Sequence, residues 1–274
     1  MGDFEPEIRP RELPADIAAY RARHEEELRP VEGLLGPRLE GHVLVYQMAI
    51  DALIEAHRRL ADATDIDLSA ETRFVALWEM SGRCLGLASA LLDQLRRGWT
   101  AETVGTMRVL HEAANLLVTF VEDEDETLTR RWLRGGRIAP REARERVGEF
   151  QERAAELARA VGVEIEGDIE ELGREIYRIL TRGAHNDREG FAECVSGDTR
   201  AFAYGPHPDV RVRAVYVDYG GELIEQITMD VGSTLARFFG REFYDQTVKP
   251  LIRAMHVIRD DMPIDANVRR AWGY

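Results

Sequence analysis

Thr100-Ala-Glu-Thr-Val-Gly-Thr-Met-Arg108-Val-Leu-His111-Glu112-Ala-Ala-Asn115-Leu-Leu-Val-Thr119-Phe-Val121 carries apolar side chains on nearly every side when wound as a helix. Val104, Met107, Leu110, Ala114, Leu117, Val118 and Val121 cover most of its circumference, so it belongs in the middle of a bundle. Such a helix needs other helices around it, and the flanking sequence supplies them. Residues 39–60 repeat Val43, Tyr46, Ile50, Leu53, Ile54 and Leu60 at spacings of three and four. Ser69 reads as the N-cap of a helix to about Arg97, stopped by Gly98. Downstream, a short helix at 127–133 ends at Gly135-Gly136, and Pro140 opens a charged helix to about Val161. Asp168 caps another to about His185, and helical periodicity resumes at 222–239 and 243–258.

Two regions fall outside this pattern. Residues 1–38 hold Pro6, Pro10 and Pro14, and read as an arm followed by a short helix. Residues 186–221 form a long irregular segment, in which Val-Arg-Val-Arg-Ala-Val-Tyr-Val-Asp-Tyr at 210–219 alternates enough to hold a short strand. No linker divides the remainder. The expectation is an all-α protein: one helical bundle domain over 39–274 with additional terminal helices.

Composition narrows the function classes. The 274 residues carry 36 Lys+Arg against 50 Asp+Glu, a net charge of −14, which argues against non-specific DNA binding. No uninterrupted apolar run of membrane-spanning length occurs, so no membrane partner is expected. The N-terminus has no apolar signal core, and Cys84 and Cys194 stand alone, which together suggest a cytoplasmic home. Metal and cofactor signatures are missing. There is no Glu-x-x-His for a di-iron bundle, no HExxH, no phosphate-binding glycine loop and no G-x-S-x-G elbow. Ser81 and Ser89 have no evident base partner in the sequence. No cofactor and no metal are expected.

What stands out is two polar stripes. On the central helix Arg108, His111, Glu112, Asn115 and Thr119 fall within about 100° of arc. A stripe of this kind on an apolar helix must meet partners, water or a cavity, because an unpaired buried charge costs several kcal/mol. Its plainer reading is an i,i+4 ion pair of Arg108 with Glu112 along one solvated edge. The second stripe gathers Arg174, Arg178, Thr181, Arg182 and His185 on one helix face, bordered by Tyr177. Three guanidinium forks, a hydroxyl and an imidazole suit a phosphate or carboxylate; the alternative is a solvated face screened by Glu175. A basic island at 130–146, with seven arginines against Glu142 and Glu145, adds potential contact with a polyanion. Its alternative is pairing with the neighbouring acidic run at 122–126.

Arg178-Ile-Leu-Thr181-Arg182-Gly-Ala-His185 resembles the R-x(4–6)-H motif of the HEPN superfamily of helical toxin, defence and RNA-processing ribonucleases. The wider pattern, Arg108-Val-Leu-His-Glu112 followed by Tyr177-Arg-Ile-Leu-Thr181-Arg-Gly-Ala-His185, is similar to an uncharacterised bacterial family of helical proteins. The HEPN resemblance implies metal-independent RNA cleavage across a homodimer. His185 would be its acid or base and Arg178 would stabilise the phosphorane, with Thr181 and Arg182 orienting phosphate. Ile179 departs from the polar residue usual after that arginine. Two functions therefore follow: a toxin- or defence-type ribonuclease acting on RNA, or a non-catalytic helical module. The module would bind an anionic, phosphate-bearing ligand or a protein partner through Arg108, His111, Glu112, Asn115, Arg174, Tyr177, Thr181 and Arg182.

Overall fold

The chain winds into helix wherever the apolar spacing asks for it. The computed structural model describes residues 37–62 and 72–160, and beyond them 180, 216, 217, 220, 223, 224, 227, 230–232, 234–236, 239–250 and 253. Among the described residues 89% are helical and none is in a strand, so the protein is all-α. The long elements are α1 (Pro37–Asp62), α2 (Arg73–Arg97), α3 (Thr100–Glu122), the short α4 (Thr127–Leu133) and α5 (Pro140–Ala160). A last piece, α6 (Arg241–Phe243), runs directly into a π-helical turn at Tyr244–Val248.

The central position of α3 follows from its composition. It packs against α2 and α5, and α1 packs against α2. Leu110, Leu117 and Phe120 of α3 are wholly buried, together with Leu77 and Leu91 of α2 and Tyr46 and Leu60 of α1. Each such side chain contributes roughly 1.5–3 kcal/mol over its exposed state, so this seam supplies much of the core stability.

The joints are set by glycine and by one carboxylate. Gly98 has φ 73°, a left-handed conformation, and its N–H and that of Trp99 bond to Leu95 and Gln94 carbonyls at 3.0 Å. This Schellman ending turns the chain within two residues and brings α3 back along α2. Gly135 at φ 82° ends α4 in the same way, its N–H bonding to the Trp132 carbonyl and that of Gly136 to Arg131. Thr72 occupies the N-cap of α2, so the helix opens at Arg73, later than a cap at Ser69 would set it.

The expectation of irregular or extended backbone through residue 221 needs correcting in its described part. Tyr216, Val217 and Gly220 are helical. Tyr216 and Val217 are neighbours in sequence and both buried, at 4% and 3% exposure. Alternation would send them to opposite sheet faces; a helix turns both toward the same core. The C-terminal segment locks back onto α1 through the Arg59 guanidinium, 5.2 Å from the centre of the Phe243 ring. Residues 1–36, expected to form most of the N-terminal arm, lie outside the described residues. By length and mean hydropathy α2 meets the minimum for a membrane-crossing helix, yet half of that window is buried within the bundle.

Candidate functional site

The α3 stripe divides along its length into an outer ion pair and a buried seam. Arg108 Nε donates to Glu112 Oε1 at 3.1 Å, and both side chains keep solvent contact, at 20% and 30% exposure. This is the i,i+4 pair of the plainer reading. Behind it His111, Asn115 and Thr119 are buried. Asn115 Nδ2 lies 3.4 Å from His111 Nδ1. Thr119 Oγ1 donates to the Asn115 carbonyl at 2.7 Å, with the Ala143 carbonyl of α5 at 3.5 Å. The buried Thr119 thus lies where α5 packs on α3.

Burial fixes the chemistry of His111. Desolvation, with the positive charge of Arg144 as a lesser cause, pushes its pKa down to about 4. At neutral pH the ring is uncharged, so it serves as a hydrogen-bonding group and is poorly matched to proton transfer.

Where α3 and α5 diverge a recess of roughly 150 Å³ opens, lined by Glu112, Asn115, Leu116, Arg137, Ile138, Pro140 and Ala143. Glu112, Leu116 and Asn115 reach it because i, i+3 and i+4 share a helix face. Arg137 and Ile138 come from the connection between α4 and α5. Arg137 is exposed at its rim and has no ion-pair partner among the described residues. With Glu112 already bound to Arg108, the recess keeps one uncompensated guanidinium beside an amide. Among the described residues no group of three or more His, Cys, Asp or Glu side chains is placed to hold a metal ion.

The basic island is largely neutralised. Arg130 pairs with Glu126 at 3.0 Å, Arg131 with Glu142 at 2.7 Å, Arg141 with Glu145 at 2.8 Å and Arg146 with Glu149 at 3.5 Å. The acidic run is used as well. Glu122 pairs with Arg153 of α5, and the buried Asp123 carboxylate accepts both the N–H and the hydroxyl of Thr129 at 2.7 Å.

Of the second stripe, Arg174, Tyr177, Arg178, Thr181, Arg182 and His185 lie outside the described residues. Leu180 between them is helical and buried, at 5% exposure.

Two arrangements were missed in the sequence. Ser81, read as lacking a base partner, lies 2.8 Å from His57 Nδ1. Its own proton goes to the Trp78 carbonyl at 2.9 Å, and His57 stacks on Trp78 at 5.4 Å. The serine therefore accepts from the imidazole, the reverse of nucleophile activation, and it is wholly buried. Asp230 is the second: Gln151 Nε2 of α5 donates to it at 2.9 Å, while burial pushes its carboxyl up to about 7. Both partnerships join residues far apart in sequence, 24 and 79 positions, and no local pattern announces them.

Against models of known protein families, against curated proteins and against solved structures, the chain shows no match.

Proposed function

We propose that this helical domain is a non-catalytic binding module that receives a small anionic group, a carboxylate or a phosphate, in the recess between α3 and α5. The observation that carries this reading is Arg137, a guanidinium with no ion-pair partner among the described residues, at the rim of a recess that also presents the Asn115 amide. Size limits the ligand. Ligand pockets for drug-sized molecules occupy roughly 300–1,000 Å³, and this one has roughly 150 Å³. A phosphate or a small organic acid fits, whereas a whole nucleotide does not. The recess is lined by one carboxylate, one amide and one guanidinium among apolar side chains, a set suited to holding an anion. Titration of inorganic phosphate and of acetate, followed by the side-chain NMR signals of Asn115 and Arg137, tests the reading. Saturable shifts are expected, with affinity about tenfold weaker in Arg137→Ala. Unchanged spectra with both anions, or equal affinity in the variant, would remove the proposal.

A second reading keeps the ribonuclease, with His185 and Arg178 at the site. It rests on the spacing of Arg178 and His185 in the sequence, and Leu180, which lies between them, is helical and buried. Cleavage of mixed RNAs in the presence of EDTA is expected for the wild type and lost in His185→Ala and Arg178→Ala. Equal cleavage by all three, or none by the wild type, rules it out.

A further inference from the structure

The outward face of α2 is charged in a self-complementary order. Glu79, Arg83, Gly86, Ala90 and Asp93 are exposed, and the Arg97 side chain is 37% exposed. At 100° per residue these six positions fall within about 80° of arc, a single line down the helix. Their spacing is symmetric about residue 88. Arg83 and Asp93 lie about 7.5 Å to either side of it, and Glu79 and Arg97 about 13.5 Å. Gly86 and Ala90 flank the midpoint, and nothing lies within 4 Å of a Cβ built on Gly86.

We propose that this face is an isologous contact between two copies of the chain, with the α2 helices antiparallel and a twofold axis at residue 88. In that register each Arg83 meets Asp93 of the other copy, and each Glu79 meets Arg97. A twofold contact requires one patch to complement itself, and opposite signs at mirrored positions satisfy that requirement. The pairing already present within α2 fits the scheme. Arg97 Nε donates to Asp93 Oδ2 at 2.8 Å, so each intrahelical pair gains an added charge at both ends and becomes a four-member network. Networks outperform isolated surface pairs. Glu79 and Arg83 stand in the order that favours an i,i+4 ion pair, yet neither has an ion-pair partner among the described residues. The small central residues allow the axes to approach closely.

Magnitude sets the strength of the contact. A line about 27 Å long on a helix about 10 Å wide covers on the order of 300 Å² per copy, below the roughly 800 Å² of a standard interface. The association is therefore micromolar or weaker, and it depends on salt because its charges are solvent-accessible. This contact is independent of the recess and of its ligand.

Sedimentation equilibrium of the full chain at low salt and at about 0.5 M salt tests it. The wild type is expected to dimerise at low salt and to dissociate at high salt. Arg83→Glu and Asp93→Arg should each weaken dimerisation by about tenfold, and the double variant should recover to within about threefold of wild type. Thermal melts confirm that each variant folds, which these exposed positions permit. A wild type that stays monomeric at low salt overturns the proposal. So does a dimer indifferent to the single reversals, or a double variant as weak as either single.

Discussion

Gly220 shows how tightly one residue can be specified. A Cβ placed there would collide with Tyr46 Oη and sit 2.8 Å from Leu95 Cδ1 and 3.1 Å from Met107 Cε. The last two are ends of flexible aliphatic side chains; the Tyr46 phenol is wholly buried among close-packed neighbours and has little room to give way. Gly220→Ala is expected to cost at least about 2 kcal/mol by overpacking, and Tyr46→Phe in the same chain should return part of it, read from urea midpoints. If the double variant is no more stable than Gly220→Ala, the phenol is not the obstacle. Two desolvated titratable residues set opposing pH responses. His111 falls from an ordinary 6.5 to about 4, so its contribution is full above pH 6.5 and is lost as pH falls toward 4. Asp230 rises from 3.8 to about 7, so its burial opposes folding above pH 7 and that penalty fades toward pH 3.8. Asp230→Asn, which still accepts from Gln151, should therefore raise stability above pH 7 and change nothing near pH 4. His111→Gln should flatten the loss between pH 6.5 and 4. Unfolding midpoints across that range separate the two, and a pH-independent gain in Asp230→Asn would contradict the assignment.

Among the elements, α4 rests most on a single side chain. It has seven residues, too few to be stable alone. Its entry is fixed by Asp123, whose carboxylate binds the N–H and hydroxyl of the fully buried Thr129. Asp123→Ala leaves both donors without their acceptor, a loss of about 2–3 kcal/mol. Asp125→Ala, which removes the exposed bond to the Thr127 N–H at 3.2 Å together with contacts to the Thr127 hydroxyl and to Asp123, should cost measurably less. Equal effects in chemical denaturation would mean that Asp123 does not cap the helix. The same element marks the limit of what the sequence discloses. The bounds of α3, α4 and α5 are legible because apolar spacing, Gly98, Gly135 and Pro140 act within a few residues. Asp123 was read only as part of an acidic run, since its partner lies six residues on and becomes visible once the turn is built. The alternation at 210–219 misled for a related reason: the burial of Tyr216 and Val217 side by side comes from packing into the common core, not from local pattern. In the candidate site, Arg108 with Glu112 was legible from spacing, whereas the place of Arg137 at the recess becomes visible only once α5 packs on α3.

Across the whole molecule the question is where a chain of net charge −14 keeps its positive potential. The island at 130–146 looks strongly basic as a string, yet four of its seven arginines already hold carboxylates within 3.5 Å. Exposed pairs of this kind contribute little to stability. They do cancel the far field that a polyanion would sense, because beyond a Debye length of about 8 Å a paired arginine no longer acts as a cation. Binding to a polyanion releases counter-ions in proportion to the free cations engaged. Removing already paired arginines should then leave that count almost unchanged. Heparin chromatography of wild type beside the double variant Arg141→Ala with Arg146→Ala makes the comparison. Both proteins are expected to elute early and together. Strong retention of the wild type, with elution shifted to lower salt by the double substitution, would show that the island acts as open positive surface and that its carboxylate partners yield to phosphate.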